Sequence, residues 1–127
     1  MKLITLYRPV GQKEMILVKE SGCKRFPPLL EWQPIFYPVM NQQYAEQIAK
    51  QWNTEDEFSG YAGHVLAFDL PGDYISKYPV QNVGGELHNE LWVPAEELED
   101  FNNNINGLIR IVCSFYGAKY NWIENGT

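Results

Sequence analysis

Residues 86–93, Glu86-Leu87-His88-Asn89-Glu90-Leu91-Trp92-Val93, alternate with a period of two and run into Pro94-Ala95-Glu96-Glu97-Leu98. That period belongs to a strand with one face turned inward and one outward. If Leu87, Leu91 and Val93 are buried, then Glu86, His88, Glu90 and Trp92 project together from the other side. The segment must therefore lie in a sheet whose second face is either open to water or forms the wall of a site. Polar-out alternation is the commonest strand pattern, so a solvated face under a tryptophan cover is the plain alternative to a site.

The rest of the chain supplies neighbours for that strand. Residues 3–8 read as a strand closed by Pro9 and Gly11, and residues 12–20 as a helix with Gly22 placed to cap its end. After a Pro-rich loop, residues 35–39 read as a short strand bracketed by Pro34 and Pro38, and so brief or at an edge. Asn41 is a natural N-cap for a helix whose apolar stripe is Tyr44, Ala45, Ile48, Ala49 and Trp52. Residues 62–70 read as a strand ended by Pro71-Gly72-Asp73, and residues 79–83 as another strand, with a bend or tight turn at Gly84-Gly85 before the strand at 86–93. Pro94 suits the first turn of a helix carrying Leu98, Phe101 and Ile105. Residues 108–115 are an apolar run, expected at the centre of the sheet, and the tail from Gly117 carries no pattern. Five or six strands and three helices, with several strands too close for crossover helices, predict an α+β fold. The expected form is one domain over residues 1–127 with a mixed, largely antiparallel sheet.

Charge and composition exclude several function classes. The net charge is -6, and the Lys and Arg residues are scattered, so no basic stripe exists to neutralise phosphates. This argues against a nucleic-acid partner and against an anionic membrane surface. No apolar run is long enough to span a bilayer, and Arg8 and Pro9 break the only short apolar segment near the start, so no signal peptide is expected. Cys23 and Cys113 are far apart, and two free thiols suit a reducing cytoplasm. Cys113 sits in an apolar run and reads as a buried hydrophobe. Cys23 lies beside Lys24 and Arg25, which favours its thiolate or means nothing for an ordinary free thiol.

Familiar catalytic signatures are missing. There is no P-loop, no G-x-G-x-x-G, no C-x-x-C, no H-E-x-x-H and no G-x-S-x-G. Two histidines and two cysteines make a closed structural zinc site a poor expectation. His64 shares parity with Leu66, Phe68 and Leu70 and reads as a core or strand-end histidine. Arg8 shares parity with Ile4 and Leu6 at the end of its strand, where it either reaches solvent or clamps an anion with its forked donors.

Three segments taken in order say more than any one: Thr5-Leu6-Tyr7-Arg8-Pro9-Val10-Gly11, then Ile35-Phe36-Tyr37-Pro38-Val39 with the Tyr44-Ala45 helix, then His88-Asn89-Glu90-Leu91-Trp92-Val93-Pro94. This series resembles the three signature elements of the ADP-ribosyltransferase-like fold. Over most of its length the chain also resembles small bacterial proteins grouped under the heading "ADP-ribosylation/crystallin", a heading that mixes transferase-like and hydrolase-like families. The hydrolase-like fold is all-helical and much longer, which a short strand-rich chain does not fit.

The resemblance implies NAD as substrate, with cleavage of the bond between nicotinamide and ribose. It implies that Arg8 binds a phosphate or ribose oxygen, with Tyr7 beside it in the same motif. It also implies that Tyr37 stacks on the nicotinamide and that Glu90 stabilises the positive charge that builds on the ribose. His88 stands two residues before the glutamate, where many such transferases carry Glu or Gln. It would orient the acceptor or assist proton transfer. A protein or small molecule would be the acceptor. The alternatives are a module of the same fold that binds a nucleotide or protein without turnover, and an ion held by His88 and Glu90, for which no third ligand is evident.

Overall fold

The computed structural model describes residues 2–121. Seven strands run in chain order: β1 (Leu3–Val10), β2 (Ile35–Phe36), β3 (Ala62–Pro71), β4 (Val80–Asn82), β5 (Asn89–Leu91), β6 (Val93–Pro94) and β7 (Asn106–Tyr116). Among them are helices α1 (Gln12–Glu20), α2 (Gln42–Gln51), α3 (Gly72–Ile75) and α4 (Leu98–Asn103). The fold is α+β, and every strand pair is antiparallel. The helix from 12 to 20 stands where the sequence puts it, with Gly22 at φ +80 behind it. The expected third helix is short, and the piece after Pro71 adds a fourth.

β1, β3 and β7 form the main sheet in the order β1-β3-β7. The central strand is β3, not the apolar run at 108–115. β7 lies at the edge, with Leu108 55% and Tyr116 56% exposed. An apolar β-branched run reads alike at a centre and at an edge, and only the pairing separates them. β3 is flanked by strands on both sides and packed on both faces, so its run from Ala62 to Phe68 is buried throughout.

Each face has its own core. On one side Leu6, Val10, Leu66, Phe68 and Leu70 meet Met15 and Val18 of α1 and Phe101 of α4. Phe26 and Phe36 fill the middle, their ring centroids 5.1 Å apart, with Phe26 edge-on to Phe68 at 4.8 Å. Asn102 pins the loop over this core, because its side chain accepts from the Phe26 backbone N–H at 2.9 Å and donates to the Phe26 carbonyl at 3.0 Å. On the other side α2 lays Ala45 and Ala49 against Val39 and Val65. Asn41 caps α2 by accepting from the Tyr44 N–H at 2.7 Å. A Cβ at Gly63 would run into the Ala49 carbonyl, so this glycine sets how closely α2 lies on β3. Cys113 is half-buried on this side rather than fully enclosed, and burial and the nearby Glu46 raise its thiol pKa.

His64 is fully enclosed, as its parity suggested. Its Nδ1 lies 2.7 Å from Ser114 Oγ and its Nε2 lies 2.7 Å from Gln12 Oε1. An amide oxygen can only accept, so Nε2 carries the proton and the serine hydroxyl donates to Nδ1.

The segment at 38–40 decides where the candidate residues sit. Val39 exchanges hydrogen bonds with Tyr7 of β1 at 2.9 and 2.7 Å, and it bridges Glu90 on its other side. Beyond that point the chains part: β1 continues along β3, and β2 turns away to pair with β6. The strand expected over 86–93 is correspondingly divided. Residues 83–88 form a hairpin turn in which Val83 N–H donates to the His88 carbonyl at 3.0 Å. Pairing begins at Asn89, breaks at Trp92 and resumes at Val93 with a different partner. Leu87 is exposed instead of buried, since Gly84-Gly85 closes the turn before the alternation can take hold.

Candidate functional site

A cleft of about 530 Å³ opens where β1 and the 35–39 segment part. Arg8, Val10, Gly11, Lys13 and Glu14 line one side, and Tyr37, Val39, Glu90 and Trp92 line the other. Trp52 and Phe58 stand at its rim, 59% and 71% exposed. By register, Glu90 neighbours Val39 and Tyr7 on the α2 side of the sheet, whereas Arg8 alternates with Tyr7 and faces the α1 side. The two meet in one cleft because the sheet is split between them.

Glu90 is nearly buried, at 9% exposure. Its carboxylate accepts from the Tyr44 hydroxyl at 3.1 Å through Oε2 and from the Trp92 indole N–H at 2.8 Å through Oε1. Burial and the adjacent Glu90 push the Tyr44 pKa up to about 12, so this hydroxyl remains a donor at ordinary pH. A carboxylate fixed by two donors on two elements points a negative charge into the cleft with little freedom to swing. Tyr37 stands beside it, 43% exposed and edge-on to Trp92 with centroids 6.3 Å apart.

Arg8 is held differently. Its Nε and Nη2 donate to the Glu14 carboxylate at 2.6 and 3.0 Å, and the guanidinium lies over the Phe36 ring, 4.5 Å from its centroid. It is a bound fork rather than an arginine reaching into solvent.

Two of the sequence-predicted residues fall outside the cleft. His88 sits in the turn, where Nδ1 accepts from the Gly85 N–H at 3.0 Å, Nε2 lies 3.2 Å from Gln47 Oε1, and the ring stacks on Tyr44 at 4.6 Å. Its link to Glu90 runs through Tyr44. Tyr7 packs into the α2-side apolar cluster with Val39 and Val65. Among the described residues no three His, Cys, Asp or Glu side chains are grouped to hold a metal ion. No helix among them is long and apolar enough to cross a membrane.

Lys13 and Glu14, which line the cleft, and Tyr44, which donates to Glu90, are site residues whose roles the sequence does not disclose. Tyr44 reads as one member of an apolar stripe and of the Tyr44-Ala45 pair in the second motif segment, and Lys13 and Glu14 only as positions in the helix over 12–20. Tyr44 acquires its role by donating to Glu90 on a strand far along the chain, and Glu14 by pairing with Arg8 at the end of β1. No protein-family model matches this chain, and no curated protein or solved structure matches it at a significant level.

Proposed function

We propose that this cleft binds NAD and cleaves its nicotinamide–ribose bond, transferring ADP-ribose to an acceptor or to water. One observation carries the reading: Arg8, Tyr37 and Glu90, drawn from three separate segments, line a single cleft. Its volume of about 530 Å³ lies within the range typical of small-molecule sites. It also offers the three kinds of contact that such a ligand needs. Tyr37 presents an aromatic surface for a planar ring. Arg8 supplies donors for phosphate oxygens. Glu90 supplies a fixed negative charge.

The chemistry follows from that charge. As the C–N bond breaks, its electron pair leaves with the nicotinamide and positive charge grows on the ribose. A carboxylate close to the sugar stabilises this charge more in the transition state than in the ground state, which is the condition for acceleration. The acceptor oxygen or nitrogen then bonds to the ribose carbon and gives up its proton to solvent water. Tyr44 and Trp92 keep the Glu90 carboxylate aimed without reorganisation. The position of His88 behind Tyr44 suits a role in orienting that tyrosine more than direct proton transfer.

A second reading has its own support. Arg8 is engaged by Glu14 and both Glu90 oxygens are engaged by donors, an arrangement that also fits a module that holds a nucleotide without turnover. Incubation with NAD, measuring nicotinamide release with and without a cell extract as acceptor source, separates the two. Release above the uncatalysed rate supports the enzyme. Saturable binding of NAD without release supports the module, and neither binding nor release removes the reading.

A further inference from the structure

We infer that Arg8 and Lys13 form an anion seat in the cleft, and that Glu14 occupies this seat when no ligand is bound. The inference deepens the NAD reading, on which its placement of a phosphate group rests, but its geometry is independent of any reaction.

The Glu14 carboxylate meets the Arg8 guanidinium through Nε and Nη2 at 2.6 and 3.0 Å. This two-point fork is the geometry that a phosphate or carboxylate of a ligand would use. The pair is not sealed into the core, since the side chains are 15% and 25% exposed and both residues line the cleft. Glu14 stands in the first turn of α1, so its side chain can swing to water without disturbing the helix backbone. Arg8 cannot follow, because its guanidinium lies 4.5 Å over the Phe36 ring and its backbone is paired with β3.

Departure of Glu14 would make this wall of the cleft more positive by one charge. With the carboxylate in place, Arg8 is neutralised and Lys13 is the one unpaired cation among the described wall residues. With it withdrawn, Arg8 and Lys13 together present two positive charges to the cleft. A pyrophosphate-like group, with oxygens to spread over both, matches that pair better than a single carboxylate does. Glu14 would therefore act as an internal competitor. It keeps a half-buried guanidinium paired in the free protein and lowers the affinity for any anion that must displace it.

The test uses Glu14→Gln and Lys13→Ala in the full chain, with inorganic pyrophosphate as the probe in titration calorimetry. Glu14→Gln retains length and an acceptor oxygen but loses the charge. Removal of one competing charge-assisted pair should tighten pyrophosphate binding about tenfold. Lys13→Ala should weaken it several-fold. Thermal unfolding checks that each variant is folded, and Glu14→Asp serves as a second variant if Glu14→Gln is not, with tighter binding again expected because the shorter side chain closes the fork less well. Equal or weaker binding in the folded Glu14 variants would overturn the inference, as would no pyrophosphate binding to any of the proteins. The NAD reading fails separately. Tighter pyrophosphate binding in Glu14→Gln without nicotinamide release leaves the seat and removes the reaction. Release by the native protein with unchanged pyrophosphate affinity in Glu14→Gln does the reverse.

Discussion

The indole N–H of Trp92 donates to Glu90 Oε1 at 2.8 Å while the same ring meets Tyr37 edge-on at 6.3 Å. One side chain thus fixes both the charge and the aromatic wall of the cleft. Trp92→Phe keeps the ring contact and removes the donor. If the cleft cleaves NAD as proposed, nicotinamide release should fall about tenfold, the scale of one lost hydrogen bond to a charged group, with a smaller change in KM. Trp92→Leu should raise KM as well, because Tyr37 loses its support.

Glu90→Gln removes the charge and keeps the shape. If Glu90 stabilises the positive ribose, nicotinamide release should fall by roughly 10²–10³-fold, the usual loss for one electrostatic stabiliser. Affinity for intact NAD, measured by calorimetry, should change much less. Glu86→Gln is the control, because Glu86 is exposed and lies outside the cleft. Equal losses in both variants, or full activity in Glu90→Gln, would refute the assignment.

His64 makes stability fall in acid. Burial, and secondarily the Lys19 charge, lower its pKa from 6.5 to about 4. The unfolded chain takes up a proton near 6.5 and the folded chain does not, so the contribution is complete above that pH. It is lost as pH falls from 6.5 towards 4, by at most about 1.4 kcal/mol per pH unit. Urea unfolding between pH 7 and 4.5 should show this slope, and His64→Gln should flatten it whatever its absolute stability. An unchanged slope in the variant would assign the effect to other groups.

Asn102→Ala should destabilise the fold without touching the cleft. Its side chain satisfies both the N–H and the carbonyl of Phe26, and loss of a buried partner costs about 1–3 kcal/mol for each group. A drop of about 2–4 kcal/mol in unfolding free energy is expected. A drop below about 0.5 kcal/mol would mean that water replaces the side chain.

The sequence by itself determined the local elements of this protein. α1 and its glycine stop, the Asn41 cap, the β3 run and the buried His64 all follow from periodicity, capping chemistry and parity, which act over a few residues. The three motif segments were legible for the same reason, as short strings. What they form together was decided by tertiary structure. The exchange of hydrogen bonds between Val39 and Tyr7, and the bridge from Val39 to Glu90, join residues far apart in the chain and set which residues share a cleft. The turn at Gly84-Gly85 was legible, but the alternation over 86–93 could not disclose that the turn would run on to His88 and leave pairing to begin at Asn89, or that Trp92 would stand at a change of partner. Nor could the apolar run of β7 disclose that it ends the sheet, since edge and centre differ in what covers them. Tyr7 and His88 left the cleft, and Tyr44, Lys13 and Glu14 joined its machinery, because pairing across the chain, not local pattern, sets the direction in which each side chain points.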